Sequence, residues 1–288
     1  MLRPRDLAEA LAFRSDLECL PLAGGTDVMV ELNFDRRRPE AILDLTHVSE
    51  LRDWKSSEDE IRVGAGVTYL QLQHELADAI PGLALAARTV GSPQIRNRGT
   101  IGGNLGAASP AGDCHPPLLA SGADIELSSL EGTRRVRADE FFLAPKRSVL
   151  RADELITAVL VPRVRGPQQF AKVGTRNAMV IAVCSFALAF DAQARRIGTG
   201  IGSAGPTPLR AREAEDHLGS ELDEAAAWHG ERGLSDTAIA RFGELVAAAA
   251  APIDDVRGSA AYRRRALAVL AQRTLRWSLD ALERPRAA

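Results

Sequence analysis

Two glycine-rich runs hold the strongest chemical signal in the sequence. Ala23-Gly24-Gly25-Thr26-Asp27 follows a short apolar stretch, and Thr100-Ile101-Gly102-Gly103-Asn104-Leu105-Gly106 lies within an irregular stretch, residues 88–117. Consecutive glycines let backbone N–H groups approach an anion with no Cβ in the way, forming a concave nest. Thr26, Thr100 and Asn104 add hydroxyl and amide donors, so the spacing predicts two phosphate-holding turns. Neither run carries a lysine in P-loop position, which argues against nucleotide hydrolysis. A third run, Gly200-Ile201-Gly202-Ser203-Ala204-Gly205, matches G-x-G-x-x-G literally. That fingerprint needs its third glycine inside a helix of a βαβ unit. Pro206 and Pro208 follow at once and no parallel strand comes after, so the run reads as a strand end with a flexible turn.

The other reactive residue types form no set. Cys19, Cys114 and Cys184 are widely spaced without a C-x-x-C, which builds neither a disulfide framework nor a zinc or iron–sulfur site. His47, His74, His115, His217 and His229 include no pair at metal-ligand spacing. No metal site and no catalytic side chain is therefore assigned. Any redox carrier must be organic or sit on another chain. Arg36-Arg37-Arg38 reads as a solvated loop or subunit contact. Arg263-Arg264-Arg265, near Asp254, Asp255 and Arg257, reads as a structural charge set at a helix start.

These runs need elements to hold them. Residues 4–13 pattern as an amphipathic helix; 20–23 and 41–45 are short apolar strands around the first glycine turn and a helical run at 28–32. That order is the grammar of a βαβ unit with parallel strands. Strand signals follow at 61–63, 124–128, 134–137 and 154–161. Thr68 and Gln71 form a capping-box pair opening a helix to about residue 80. Beyond a Pro162, Gly166, Pro167 cluster, strands at 170–174, 180–190 and 195–202 read as antiparallel, and helices at 209–218, 235–251 and 259–282 close the chain. Strands then helices suggest a separate α+β domain.

Composition excludes some classes. A net charge of −2 from 36 basic and 38 acidic residues argues against nucleic acid as a partner. The longest apolar run, residues 179–190, falls well short of the roughly 20 residues a bilayer span needs, so no membrane insertion is expected. The first residues lack a signal-peptide pattern, which points to the cytoplasm.

Taken together, PLAGGTDV (residues 21–28), TIGGNLGAASPAGDCHPPLLASGADIEL (residues 100–127) and DDVRGSAAYRRRALAVL (residues 254–270) resemble the FAD-binding medium subunit of the molybdenum hydroxylases, the xanthine dehydrogenase and carbon monoxide dehydrogenase family. The resemblance implies an α+β fold. A PCMH-type FAD-binding domain, residues 1–165, would comprise two α/β subdomains (about 1–58 and 59–165). A C-terminal flavoprotein domain, residues 166–288, would pair an antiparallel sheet with a helix bundle. It implies FAD held by Pro21, Leu22, Ala23, Gly24, Gly25, Thr26, Asp27 and Val28, with Gly24, Gly25 and Thr26 on the pyrophosphate. Thr100, Ile101, Gly102, Gly103 and Asn104 match a second phosphate contact. Asp113 matches a ribityl or ribose contact, Val90 and Ile156 match apolar contacts, and Lys172 matches a cation near the isoalloxazine. It also implies a molybdopterin-binding large subunit, a [2Fe–2S] small subunit, and NAD or another acceptor. The substrate class stays open among purines, other N-heterocycles, aldehydes and carbon monoxide, with a lean to a xanthine dehydrogenase-like enzyme. The cysteine-rich insertion of the acyl-CoA-reducing branch is missing. The residues alone leave a nucleotide-binding assembly or regulatory module as an alternative, and a self-contained flavin oxidase as another.

Overall fold

A computed structural model describes residues 1–230 and 232–283; residue 231 and the last five residues of the expected 166–288 domain lie outside the described residues. The chain opens with helix α1 (Leu7–Asp16), strand β1 (Cys19–Leu22), helix α2 (Val28–Asn33) and strand β2 (Ala41–Asp44). β1 and β2 pair in parallel, Cys19 opposite Ala41. The expected βαβ grammar is therefore present. The first helix starts three residues later than the pattern predicts, because Asp6 caps it through the N–H of Glu9. Ala10, Leu11, Leu43, Val48, Leu51 and Leu155 form a small core beneath this unit.

A five-stranded antiparallel sheet follows, in the order β3-β4-β9-β5-β6. Its strands are β3 (Trp54–Ser56), β4 (Glu60–Gly64), β5 (Asp124–Ser129), β6 (Gly132–Arg137) and β9 (Leu155–Pro162). Between β4 and β5 run five helices: α3 (Tyr69–Glu75), α4 (Pro81–Arg88), α5 (Pro93–Arg98), α6 (Ile101–Ala107) and α7 (His115–Ser121). The stretch expected to be a loop is thus mostly short helices. Ser92 and Thr100 cap α5 and α6 through their hydroxyls, and prolines occupy the first turns of α5 and α7, so each short segment starts where a cap or a proline permits. The Thr68/Gln71 capping box forms, but its helix ends at Glu75, short of residue 80. A short helix α8 (Ala138–Phe141) leads into a hairpin of β7 (Phe142–Ala144) and β8 (Arg147–Ser148).

The remaining chain forms an antiparallel sheet of β10 (Gln168–Val173), β11 (Cys184–Asp191) and β12 (Arg196–Gly202), then α9 (Arg212–Glu224), α10 (Asp236–Ala249) and α11 (Ala260–Glu283). β11 is buried along its whole length because both faces are covered. Phe186, Leu188 and Phe190, with Ile197 and Ile201 of β12, pack on the helix bundle. Ala187 and Ala189, at alternate positions, join Ala86 and Ala120 in a separate small-residue core between this sheet and helices α4 and α7. Arg263, read from sequence as structural, donates to the Ser203 carbonyl at 2.8 Å and pairs with Asp255, tying α11 to the turn after β12.

The G-x-G-x-x-G run is the end of β12 and the turn after it, as its sequence suggests, and the packing explains its strand glycines. Gly200 and Gly202 lie in β12 itself and, with Gly198, share the face that meets α7. A Cβ at Gly198 would stand 1.9 Å from the Ala120 carbonyl oxygen, and one at Gly200 1.9 Å from that of Pro116. The glycines let a helix backbone lie directly on a strand. We expect Gly200→Ala to destabilise the chain by about 2–3 kcal/mol or more in urea unfolding. Gly219→Ala, where a Cβ meets nothing within 4 Å on helix α9, should instead gain about 0.5–1 kcal/mol.

Candidate functional site

A cavity of about 440 Å³ opens where the first βαβ unit meets α6 and β9. Its walls bring together Pro21, Ala23, Gly24, Gly25, Thr26, Asp27 and Val28 from the first glycine run with Thr100, Gly102, Gly103 and Asn104 from the second, and Ile156 from β9. Leu22 and Ile101 are not in its lining; Ile101 is fully buried in the core beneath. The volume lies within the range of small-molecule sites.

The two glycine runs do different work. In the first, the N–H groups of Gly24, Gly25, Thr26, Asp27 and Val28 donate to no acceptor among the described residues. Gly25 has φ +75°, open to glycine and strained for other residues. Gly24 permits a close approach: a Cβ there would stand 2.0 Å from the Arg98 carbonyl oxygen, so the absence of a side chain brings the first turn against the segment leading into the second. In the second run, the N–H of Ile101 donates to Val67, that of Gly102 to Ala65 and that of Gly103 to the Thr100 hydroxyl. The expected second nest of free donors is absent, because those donors bind the β4–α3 connection and cap α6. What the second run offers is space. A Cβ on Gly103 would meet only Thr100 Oγ1, at 3.1 Å, and the Asn104 Oδ1 is buried without a partner.

Apolar side chains share the lining. β9 carries a bulge opposite Glu126/Leu127, and the Thr157 carbonyl accepts the Ala65 N–H, so Leu155 and Ile156 present their side chains to the lining. Tyr69 closes the inner wall. It is 4% exposed, and burial holds its phenol well above the ordinary value, so it stays neutral. Leu45, Leu51, Arg14, Glu31, Arg37 and Lys146 also line the cavity; none was assigned to the site from sequence, and Arg37 was read as part of a solvated loop or subunit contact. Only Lys146 and Arg37 carried a signal, as one of three lysines and as part of the Arg36–38 run. In that run Arg38 pairs with Asp35, Arg36 lies 5.4 Å from the Phe34 ring, and only Arg37 reaches the cavity.

Val90, Asp113 and Lys172 are not part of the lining. Lys172 Nζ donates to Asp113 Oδ2 at 2.6 Å and to the Thr89 carbonyl at 3.0 Å, with both side chains under 10% exposed. Burial raises the Asp113 carboxyl, and the Lys172 charge opposes that rise. The pair joins β10 to the segment before α7, behind Tyr69, whose phenol feels the Asp113 charge. Asp113 Oδ1 has no partner. His115, wholly buried against Phe142, holds the Asn104 carbonyl at 3.1 Å through Nε2; burial lowers its pKa to about 4. Among the described residues no cluster of three or more His, Cys, Asp or Glu is placed to hold a metal ion, and no helix is long and apolar enough to cross a membrane.

Fold and cavity define an α+β protein whose cleft is lined by free backbone donors and by apolar side chains, suited to a phosphate-bearing ligand with an apolar head. Residues 1–164 match the family model described as the FAD binding domain in molybdopterin dehydrogenase, and residues 169–278 the CO dehydrogenase flavoprotein C-terminal domain. The chain belongs to the FAD-binding subunits of the molybdenum hydroxylases; FAD is its cofactor. It is 32% identical over 281 residues to the glyceraldehyde dehydrogenase medium chain of Sulfolobus acidocaldarius, covering 96% of each chain. It is 32% identical over 227 residues to the xanthine dehydrogenase FAD-binding subunit of Escherichia coli O157:H7, covering 74% of this chain and 76% of that one. Among solved structures, a reconstituted CO dehydrogenase from Oligotropha carboxidovorans superposes with a TM-score of 0.86 at 26% identity, covering 97% of this chain and 96% of that one.

Two measurements probe the wall behind the cavity. Lys172→Met strands the buried Asp113 charge and should cost about 3–5 kcal/mol in urea unfolding; pairing it with Asp113→Leu should restore most of that loss. His115 has a folded pKa below its ordinary 6.5, so the unfolded chain takes up its proton first as pH falls. Its contribution to stability is whole above pH 6.5 and fades towards pH 4, by about 3 kcal/mol at most. His115→Phe should flatten the stability profile in that window relative to the unaltered chain.

Proposed function

We propose that the chain is the electron-relay subunit of a cytoplasmic molybdenum hydroxylase, assembled with a molybdopterin-binding large subunit and a [2Fe–2S] small subunit. Its two domains, 1–165 and 166–288, are supported by separate apolar cores on either side of the α4/α7 layer. The observation that carries the reading is the cavity itself: its lining combines a turn of five unsatisfied backbone donors with Leu155, Ile156 and the glycines of α6. The residues present fit FAD. The N–H groups from Gly24 to Val28 would hold the pyrophosphate without a metal, Thr100 and Asn104 would add side-chain contacts, and Ile156 would flank the ring. Pro21, Leu22 and Ala23 set the direction of the first turn, and Ile101, Gly102 and Gly103 hold α6 at contact distance. Val90, Asp113 and Lys172 would support the site from behind.

Bound FAD would supply the redox chemistry, one-electron exchange with iron–sulfur clusters and two-electron exchange with an acceptor. The chain's own contribution is to bind, orient and shield it. We propose NAD, or another acceptor, as the electron acceptor, and a xanthine-like N-heterocycle as the substrate class of the whole enzyme; the xanthine dehydrogenase relative supports the substrate class only by likeness.

The purified chain should carry a flavin absorption band near about 450 nm that bleaches with the reduced iron–sulfur partner and returns with NAD. A protein that stays colourless after FAD addition would instead be an assembly or regulatory module. Gly103→Ala places a methyl group in the cavity wall while adding a helix former, so the flavin-free chain should melt no lower than before. Its FAD affinity should fall by about tenfold or more, read by fluorescence titration.

A further inference from the structure

Three charged side chains that the sequence spreads widely meet at the cavity. Glu31 stands on α2, Arg37 follows that helix, and Lys146 sits at the tip of the β7–β8 hairpin, 115 residues beyond Glu31. Lys146 Nζ lies 3.1 Å from Glu31 Oε1, and Arg37 Nη1 lies 3.8 Å from Oε2. All three line the cavity. The hairpin tip is fixed from below: the Lys146 N–H donates to the Ala108 carbonyl at 3.0 Å, at the end of α6. Lys146 takes a left-handed φ of +60°, where glycine or asparagine is the commoner choice. The lysine is thus carried to this place by the same helix that supplies the second glycine run.

The charge balance is informative. One carboxylate holds two cations, so the cluster carries a net positive charge beside five backbone donors that have no acceptor. The Lys146 and Arg37 side chains are 72% and 54% exposed, so solvent screens their pairing with Glu31 and holds it weakly. A diphosphate, with two charges in the same cavity, is a stronger acceptor than one half-exposed carboxylate.

We infer that Lys146 and Arg37 are ligand-binding cations for the diphosphate of the dinucleotide, and that Glu31 is the carboxylate that holds them at the rim when no diphosphate is bound. Lys146 comes from the second half of the FAD-binding region and Arg37 from the first, so a bound diphosphate ties the halves together across the cleft. This inference rests on the FAD reading and adds two ligand residues to it.

The test uses the full chain freed of flavin, with FAD, riboflavin, ADP and adenosine as probes. Lys146→Met and Arg37→Met should each weaken FAD and ADP binding by about three- to tenfold and make it less sensitive to salt. Riboflavin and adenosine, which lack a diphosphate, should bind as before. Glu31→Gln removes the competing carboxylate and should tighten ADP by about two- to threefold. Melting temperatures of all three variants should match the unaltered chain, because the pairs they break are exposed. Unchanged ADP affinity in both cation variants overturns the inference, as does an equal loss of ADP and adenosine. If the unaltered chain binds neither FAD nor ADP, the FAD reading itself fails, and that outcome is distinct from either.

Discussion

Backbone donors must find acceptors, and five in succession, from Gly24 to Val28, find none within the described chain. That unmet demand is the constraint around which the site is built. The parallel pairing of β1 with β2 sets the direction in which the chain leaves the sheet, and the Gly25 backbone at φ +75° shapes the turn that lines the cavity. An anion seated there gains several charge-assisted bonds at once. The need for a metal to neutralise phosphate charge is correspondingly small.

The second glycine run serves the first. Its donors are consumed in holding α6 to the β4–α3 connection, which fixes the height of the helix above the sheet. Gly102 packs so closely on Ala65 that a Cβ would stand 2.5 Å from that residue's own, leaving Gly103 as the open position on the ligand side. One run provides polarity and the other provides clearance. Arg98 and Gly99, lying against Gly24, are the seam between them.

Much of this was legible in the sequence, and the part that was not has a common physical cause. The βαβ unit, the Thr68 cap and the antiparallel C-terminal strands announce themselves through local pattern, which depends only on near neighbours along the chain. The roles of individual glycines depend on which distant backbone approaches them. Gly102 and Gly103 are adjacent and identical in type, yet one is filled by Ala65 and the other is open. The packing role of Gly198, Gly200 and Gly202 is hidden until α7 is laid on β12. The rim residues Glu31 and Lys146 were hidden for the same reason, since no local spacing connects positions 115 residues apart. The dense glycine and proline content of residues 88–117 disguised three short helices, each started by a hydroxyl cap or an early proline and not by apolar periodicity.

Helix α7 lies between α6 and the C-terminal sheet. Its residues are buried throughout, one end of it packing under the cavity and its flank lying on β12. The segment entering it holds Asp113, Cys114 and His115, three groups that titrate or react in water. Burial moves each towards its neutral or inert form: the His115 pKa falls to about 4, the Cys114 thiol is pushed up beyond the ordinary range, and Asp113 keeps its charge only against Lys172. Cys184, at the start of β11, is likewise raised, to about 12. A thiol that stays protonated is a poor nucleophile and resists oxidation. The protein wall behind the cavity is therefore chemically quiet, with the Lys172–Asp113 pair committed to joining β10 to the α7 segment. FAD held in the cavity, as proposed, would carry the redox chemistry, with these side chains taking no part in it.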